Sequence, residues 1–252
     1  DYWRPGLVAD NSFDIITAAN VFAHVDDVKT FLDVAKAAIK DTGIVILEFP
    51  YCRAMIEHVE FDTIYHEHQS YFLVHPIYRL LERVGLKVDD IILSHIHGGS
   101  IRFILKKNLK DHCEKLYDMI HAEGGAGLLK TETYLNYGTK VDKNKNDLLN
   151  LLTTIKNPIV GYGASAKGNT FLNYANLEYK YVVDDNPMKW GYLTPGMNIP
   201  ITDPKDLAKE TENIYVVLTA CNFAKEIKQK VRSIRGHDRD KFILYVPDVH
   251  LE

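Results

Sequence analysis

Asn157 to Thr170, NPIVGYGASAKGNT, is a short apolar run that breaks into glycines and then into a helix-forming segment. Strand, glycine turn and helix in immediate succession open a βα unit, the repeating piece of parallel sheets. The alternation continues downstream with a helix to Tyr174, the strand YKYVVDD (179–185), a loop to Ile201 and a helix from Asp203. The strand IYVVLTA (214–220), a helix from Asn222 to Arg235 and the strand KFILYVP (241–247) complete it. Residues 156–252 are therefore expected to form a separately wound, small parallel α/β domain.

The opening glycines carry chemistry as well as topology. Gly161, Gly163 and Gly168 lie between a strand and a helix, where backbone can approach an anion and the helix start presents free N–H groups. Ser165 and Lys167 add a hydroxyl and a cation. The spacing is GxGxxxxG rather than GxGxxG, and no GK[ST] closes it, so a pyrophosphate is expected in preference to an intact dinucleotide. Asp184 follows about twenty residues on, at a strand end, where a Rossmann-like fold holds a ribose. Asp185-Asn186-Pro187 reads equally well as a chain turn.

Working back towards the N-terminus, FDIITAA (13–19) reads as a buried parallel strand, with NVFAHVDD (20–27) as the loop at its carboxyl end. Ligands of open α/β sheets collect at such ends, which singles out Asn20 and His24, although a capping Asn and a half-buried His fit too. Val28–Ile39 has helical spacing, ended by Thr42-Gly43, and IVILEF (44–49) is a second buried strand, making a βαβ unit. Pro76–Val84 is helical with Gly85 as its cap. Val88–Leu93 and Ser100–Leu105 form an antiparallel hairpin around HIHGGS, with His95, His97, Gly98 and Gly99 at its turn. Leu109–Tyr137, interrupted by a turn at Glu123–Gly127, and a helix over Val141–Thr154 form a helical connector. The expected division is 1–108, 109–155 and 156–252.

Phe61 to Tyr71, FDTIYHEHQSY, is the densest run of acid/base groups: His66, Glu67 and His68 between Tyr65 and Tyr71, with His75 beyond. Imidazoles beside a carboxylate and phenols suit general acid/base chemistry. Metal ligation is a second reading, but His-Glu-His lacks the i, i+4 spacing of the helical zinc pair, and a polar surface loop is the third.

Composition excludes other classes. A net charge of −4 gives no basic field for nucleic acid, and no apolar run reaches the ~18 residues of a membrane span. Three scattered cysteines, Cys52, Cys113 and Cys221, suit a reducing cytoplasm better than a disulfide framework. The N-terminus lacks both an initiator Met and a signal-peptide plan, so a fragment of a longer cytoplasmic protein is expected.

In order, NVFAHVDD, FDTIYHEHQSY, LLERVGL (80–86), HGGSIR (97–102), GYGASAKGNT and VVDDNPMKWGYLTPG (182–196) resemble the TDP-sugar C-methyltransferases over nearly the whole chain. The resemblance implies part of a class I methyltransferase sheet followed by a Rossmann-like domain, S-adenosylmethionine as cofactor and a TDP-linked keto-deoxysugar as substrate. It implies catalytic roles for Tyr65, Glu67, His68 (the base) and His24, and cofactor contacts from Asn20 and His24. Gly161, Gly163, Ser165, Lys167, Gly168 and Asp184 would hold the sugar nucleotide. That family also carries an N-terminal zinc domain and a cofactor-binding glycine loop, which the 252 residues do not contain. No metal site is expected within this chain, and a monomer or weak dimer is expected. The alternative is a non-catalytic nucleotide-sugar-binding module; a His-rich metal hydrolase is a third class.

Overall fold

Asp27 caps the first helix: its carboxylate accepts from Thr30 N (3.0 Å) and from Thr30 Oγ1 (2.7 Å). The computed structural model describes residues 3–252, and the chain divides into two compact units. One is formed by the chain up to Glu57 together with His66–Leu135; the other is His58–Tyr65 with Asn136–Glu252.

In the first unit, strand β1 (Phe13–Ala19), helix α1 (Val28–Ala38) and strand β2 (Ile39–Pro50) make the βαβ piece, and β1 and β2 are parallel. A short helix α2 (Cys52–Glu57) follows, then α3 (Val74–Val84), β3 (Lys87–Ser94), β4 (Ser100–Lys106) and α4 (Glu114–Gly125). The sheet order is β1-β2-β4-β3, with β4 antiparallel to both neighbours. The returning hairpin thus inserts its second strand beside β2.

Three expectations need correction here. Thr42-Gly43 does not end α1, because the chain turns extended at Ile39 and both residues lie inside β2. The β1–β2 register shifts between Phe13 and Ile15, and a Cβ on Gly43 would sit 3.0 Å from the carbonyls of Phe13 and Asp14. The glycine therefore marks a close backbone approach at a bulge. β1 is a strand but not a buried one: as the sheet's edge it leaves Phe13 and Ile15 40% and 58% exposed. Finally, α4 runs through Glu123-Gly124-Gly125 before it stops, and α5 (Thr131–Thr154) is a single helix across the Tyr137–Val141 gap.

Glu123, completely buried on α4, accepts from Tyr51 Oη (2.7 Å), Val74 N (2.6 Å) and His75 N (3.0 Å). The first turn of α3 has no side-chain cap of its own, so a carboxylate 49 residues away supplies it. At the other end, Gly85 adopts the left-handed cap and Lys36 Nζ donates to Val84 O (2.8 Å).

The second unit contains β5 (Ile159–Tyr162), α6 (Ala166–Ala175), β6 (Val182–Val183), β7 (Ile201–Thr202), β8 (Tyr215–Leu218), α7 (Ala224–Arg235), β9 (Lys241–Leu244) and β10 (His250–Leu251). The order β10-β9-β8-β5-β6-β7 is parallel except for β10, an unforeseen antiparallel edge. The segment from Asp203 forms a 3-10 helix, Pro204–Lys209, instead of an α-helix. Val160, Val216, Leu218, Phe242, Ile227 and Val231 are among the core residues that join sheet to helix. Arg235, ending α7, pairs with buried Asp240 (2.8 Å) and spends its remaining donors on the carbonyls of Leu207, Glu210 and Glu212. Among the described residues no helix is long and apolar enough to cross a membrane.

Replacing Glu123 with Ala leaves a hydroxyl and two amides unsatisfied in the core, so we expect a stability loss of about 3 kcal/mol or more in urea denaturation. Tyr51→Phe, which removes one donor only, is expected to cost about 1 kcal/mol.

Candidate functional site

The first unit gathers its candidate residues at the carboxyl ends of β1 and β2. β1 ends at Ala19, and Asn20 follows with a left-handed backbone (φ 55°), its N–H bonded to Glu48 O (2.8 Å). Asn tolerates that conformation better than most residues. The chain then makes a 3-10 turn, Phe22–His24, whose Phe22 is fully buried beside Phe49 and Phe72. The turn fixes Ala23 O to accept from Gln69 N (2.9 Å) and Ser70 N (3.3 Å). Beyond it, Cys52 N donates to Phe72 O (3.1 Å), and Tyr51 bridges Phe72. The loop carrying Glu67 and His68 is therefore fastened to the ends of both strands.

His24 Nδ1 lies 2.7 Å from Glu67 O, and its ring meets the His68 ring edge-on at 4.8 Å between centroids. A carbonyl can only accept, so Nδ1 carries the proton and Nε2 of the neutral ring is an acceptor. His24 would need a second proton before Nε2 could donate to an oxyanion. His68 also lies edge-on to Tyr71 at 6.1 Å. The Glu67 side chain is exposed, and it is the residue's backbone that meets His24.

Asn20 Oδ1 is buried and has no hydrogen-bond partner among the described residues. S-adenosylmethionine carries an ammonium, ribose hydroxyls and an exocyclic amine, any of which supplies the donor this oxygen lacks. Asn20 thus fits the cofactor that the resemblance implies. Among the described residues no group of three or more His, Cys, Asp or Glu could hold a metal ion.

Tyr65 belongs to the second unit, through a segment that packs there by burial rather than by any motif. Phe61 lies against Phe171, Tyr174 and Tyr245 at centroid distances of 5.3 to 6.0 Å. Asp62, 3% exposed, accepts from Tyr245 Oη (2.7 Å), and the Tyr245 ring is stacked on Phe171 at 3.6 Å. Glu60 Oε2 lies 3.4 Å from Lys167 Nζ. Tyr245 directly follows β9 and Lys167 lies just beyond β5, with β8 between those two strands. The segment therefore lies over the carboxyl ends of the sheet, at the switch point where the chain leaves β5 and β8 in opposite directions. Sequence reasoning missed Glu60 and Asp62. The only signal was two acids flanking an aromatic ahead of the histidines, which composition does not distinguish from a polar loop.

The glycine loop has its expected shape. Gly163 has φ 109°, and a Cβ on Gly168 would meet Gly163 O and Thr219 Cβ at 2.8 Å, so α6 packs on the loop at a distance only glycine allows. Ser165 caps α6, its hydroxyl accepting from Gly168 N (3.1 Å). Asp184 accepts from Ala164 N (2.7 Å), Asn186 N (2.8 Å) and Lys189 Nζ (3.0 Å), so its carboxylate braces the loop. Asp185 pairs with Lys230 (2.6 Å) and Tyr162 Oη (2.7 Å). Burial, helped by Asp185, pushes the Tyr162 phenol far up and keeps it a donor. Cys221, after β8, is pushed up to about 12 by burial, so the thiol stays protonated.

Tyr245→Phe removes the partner of a buried carboxylate while keeping the ring stack, and we expect a loss of about 2 kcal/mol by thermal or urea unfolding. An unchanged stability would remove Asp62–Tyr245 as the anchor of the segment.

Residues 95–247 match the family model described as the C-methyltransferase C-terminal domain, and residues 4–91 match one described as a methyltransferase domain. C-methyltransferase NovU of Streptomyces niveus is 28% identical to the chain over 242 residues, which cover 93% of this chain. The chain spans 57% of the length of that curated relative. Because the first model covers more than half of the chain, over the hairpin strand β4, the helical segment and the glycine-loop sheet, the chain belongs to the family of C-methyltransferases that share this C-terminal domain.

Proposed function

We propose that the chain is the base-bearing and sugar-nucleotide-binding part of an S-adenosylmethionine-dependent C-methyltransferase acting on a TDP-linked keto-deoxysugar. The observation that carries the reading is the His24–Glu67–His68 arrangement, an imidazole held edge-on to a second one on a loop tied to two strand ends. The protein is proposed to work in the cytoplasm as a monomer or weak dimer.

A sugar carbon becomes a nucleophile only after a C–H beside the ketone gives up its proton. In the proposed step His68 takes that proton on a ring nitrogen, and the C–H electron pair moves onto the ketone oxygen as an enolate. His24 contributes by holding Glu67 O, which limits the swing of the loop, and Tyr65 contributes a phenol donor to the developing oxyanion. Asn20 Oδ1 would accept from the cofactor and hold it at the β1 end. When bound, S-adenosylmethionine supplies a methyl group made electrophilic by its sulfonium. In the second unit, the glycine loop from Gly161 to Gly168, with Lys167 as its cation, would take the pyrophosphate of the sugar nucleotide.

His68→Asn keeps a polar side chain of similar bulk without a base. In the complete enzyme, assayed with S-adenosylmethionine and a TDP-keto sugar, turnover is expected to fall by about two to four orders of magnitude. Calorimetric affinities for both substrates should stay within about twofold, since the base contributes to the transition state far more than to binding. Turnover within a few-fold of the parent would remove His68 as the base.

A further inference from the structure

The cation of the glycine loop already has an anion beside it, supplied by the chain. Glu60 lies 8% exposed against the start of α6, and its Oε2 is 3.4 Å from Lys167 Nζ. That separation exceeds the 2.7–2.9 Å of a tight charge-assisted bond, so the pair is loose enough to exchange. Of the loop's other polar groups, Ser165 Oγ accepts from Gly168 N, and Asp184 is taken up by Ala164 N and Lys189. Lys167 is the cation positioned to meet a phosphate there, and Glu60 holds it.

The surroundings of Glu60 make this carboxylate costly to keep charged. Asp62, two residues on, places a second buried carboxylate nearby, and its Oδ1 has no hydrogen-bond partner among the described residues. His58 Nδ1 is 3.9 Å from Glu60 Oε1 on the exposed side. Burial raises the Glu60 carboxyl above its ordinary range, against the pull of Lys167, and Asp62 adds to the rise. Glu60 therefore meets Lys167 with a second buried acid, Asp62, close by at the switch point of the sheet.

We propose that Glu60 is the built-in occupant of the anion subsite at Lys167 and sets how tightly the second unit binds the diphosphate of a nucleotide. An incoming diphosphate must draw Lys167 away from Glu60 and approach a carboxylate, so the fixed charge lowers affinity and is felt most by ligands with the most phosphate charge. The inference rests on the nucleotide reading of the glycine loop given above. It adds a specificity residue that lies in the segment leading to Tyr65 and outside the loop itself.

Titration calorimetry of the 252-residue chain with TDP, thymidine and inorganic pyrophosphate tests it, using the parent and Glu60→Gln. The amide keeps an acceptor for Lys167 and the same volume, and melting temperature checks the fold. Removing one charge a few ångströms from a phosphate is worth roughly tenfold in a partly buried setting. Glu60→Gln is thus expected to bind TDP and pyrophosphate about tenfold more tightly, with no gain for thymidine. Glu60→Asp, which keeps the charge and draws it back by one methylene, should fall between. Equal or weaker TDP binding in folded Glu60→Gln overturns the inference and leaves the nucleotide reading standing. No TDP or pyrophosphate binding by either protein overturns the nucleotide reading, and the inference with it.

Discussion

A buried carboxylate anchors the segment that leads into Tyr65. Asp62 has lost nearly all contact with water, and a carboxylate in that state persists only where donors compensate it. Tyr245 supplies the donor, and the stack of its ring on Phe171 fixes where that donor points. Phe61 fills the space against the same rings, so the aromatic cluster, the Tyr245 hydrogen bond and the Glu60–Lys167 pair all hold the residues ahead of Tyr65. Three residues after Tyr65, His68 is held by different means, the backbone ties of its loop to Ala23 and Cys52. A run of eleven residues thus takes its geometry from two separate cores.

The same segment changes what the second α/β unit can be. An open parallel sheet ordinarily leaves its switch point to a ligand. Here residues 60–63 bridge from the end of β5 to the end of β9, so the crevice holds a piece of the chain, and the glycine loop faces an internal acid. The loop keeps the backbone features of an anion cradle, with Gly163 at positive φ and Gly168 letting helix and loop approach, while its side chains serve the fold. Ser165 is a helix cap and Asp184 a brace. Their sequence positions suited a ligand role because strand ends and helix starts need the same residue types for structural bonding as for binding.

Much of the architecture was legible because it rests on local periodicity. The βαβ order, the hairpin around HIHGGS and the alternation beyond Asn157 follow from apolar spacing and turn residues, and Gly85 and Ser165 cap their helices as their types dictate. What escaped depends on partners far away in the chain. Gly43 read as a helix stop but serves a backbone contact with β1, and FDIITAA read as buried although only one of its edges is paired. The EGG at the end of α4 read as a turn, yet Glu123 needs the helix to continue so that its carboxylate can reach Val74 and His75. In the candidate site, His24, Glu67 and His68 could be named from their types, but the tautomer of His24 could not. It follows from the 2.7 Å approach to a carbonyl that only the folded chain creates.

That tautomer constrains the chemistry more than the presence of two histidines does. With its proton on Nδ1, the His24 ring presents an acceptor at Nε2, on a ring that lies edge-on to His68. In the proposed reaction such a pair suits removing a proton more than stabilising the negative charge left behind. In that reading a phenol suits the developing charge because it gives a hydrogen bond without being consumed as an acid at neutral pH. Tyr65 is three residues from His68 in the chain but belongs to the second unit, where it follows the Phe61–Asp62 anchor. The two ends of the run are thus fixed separately, one through the carbonyl Glu67 O and the other through the buried acid Asp62.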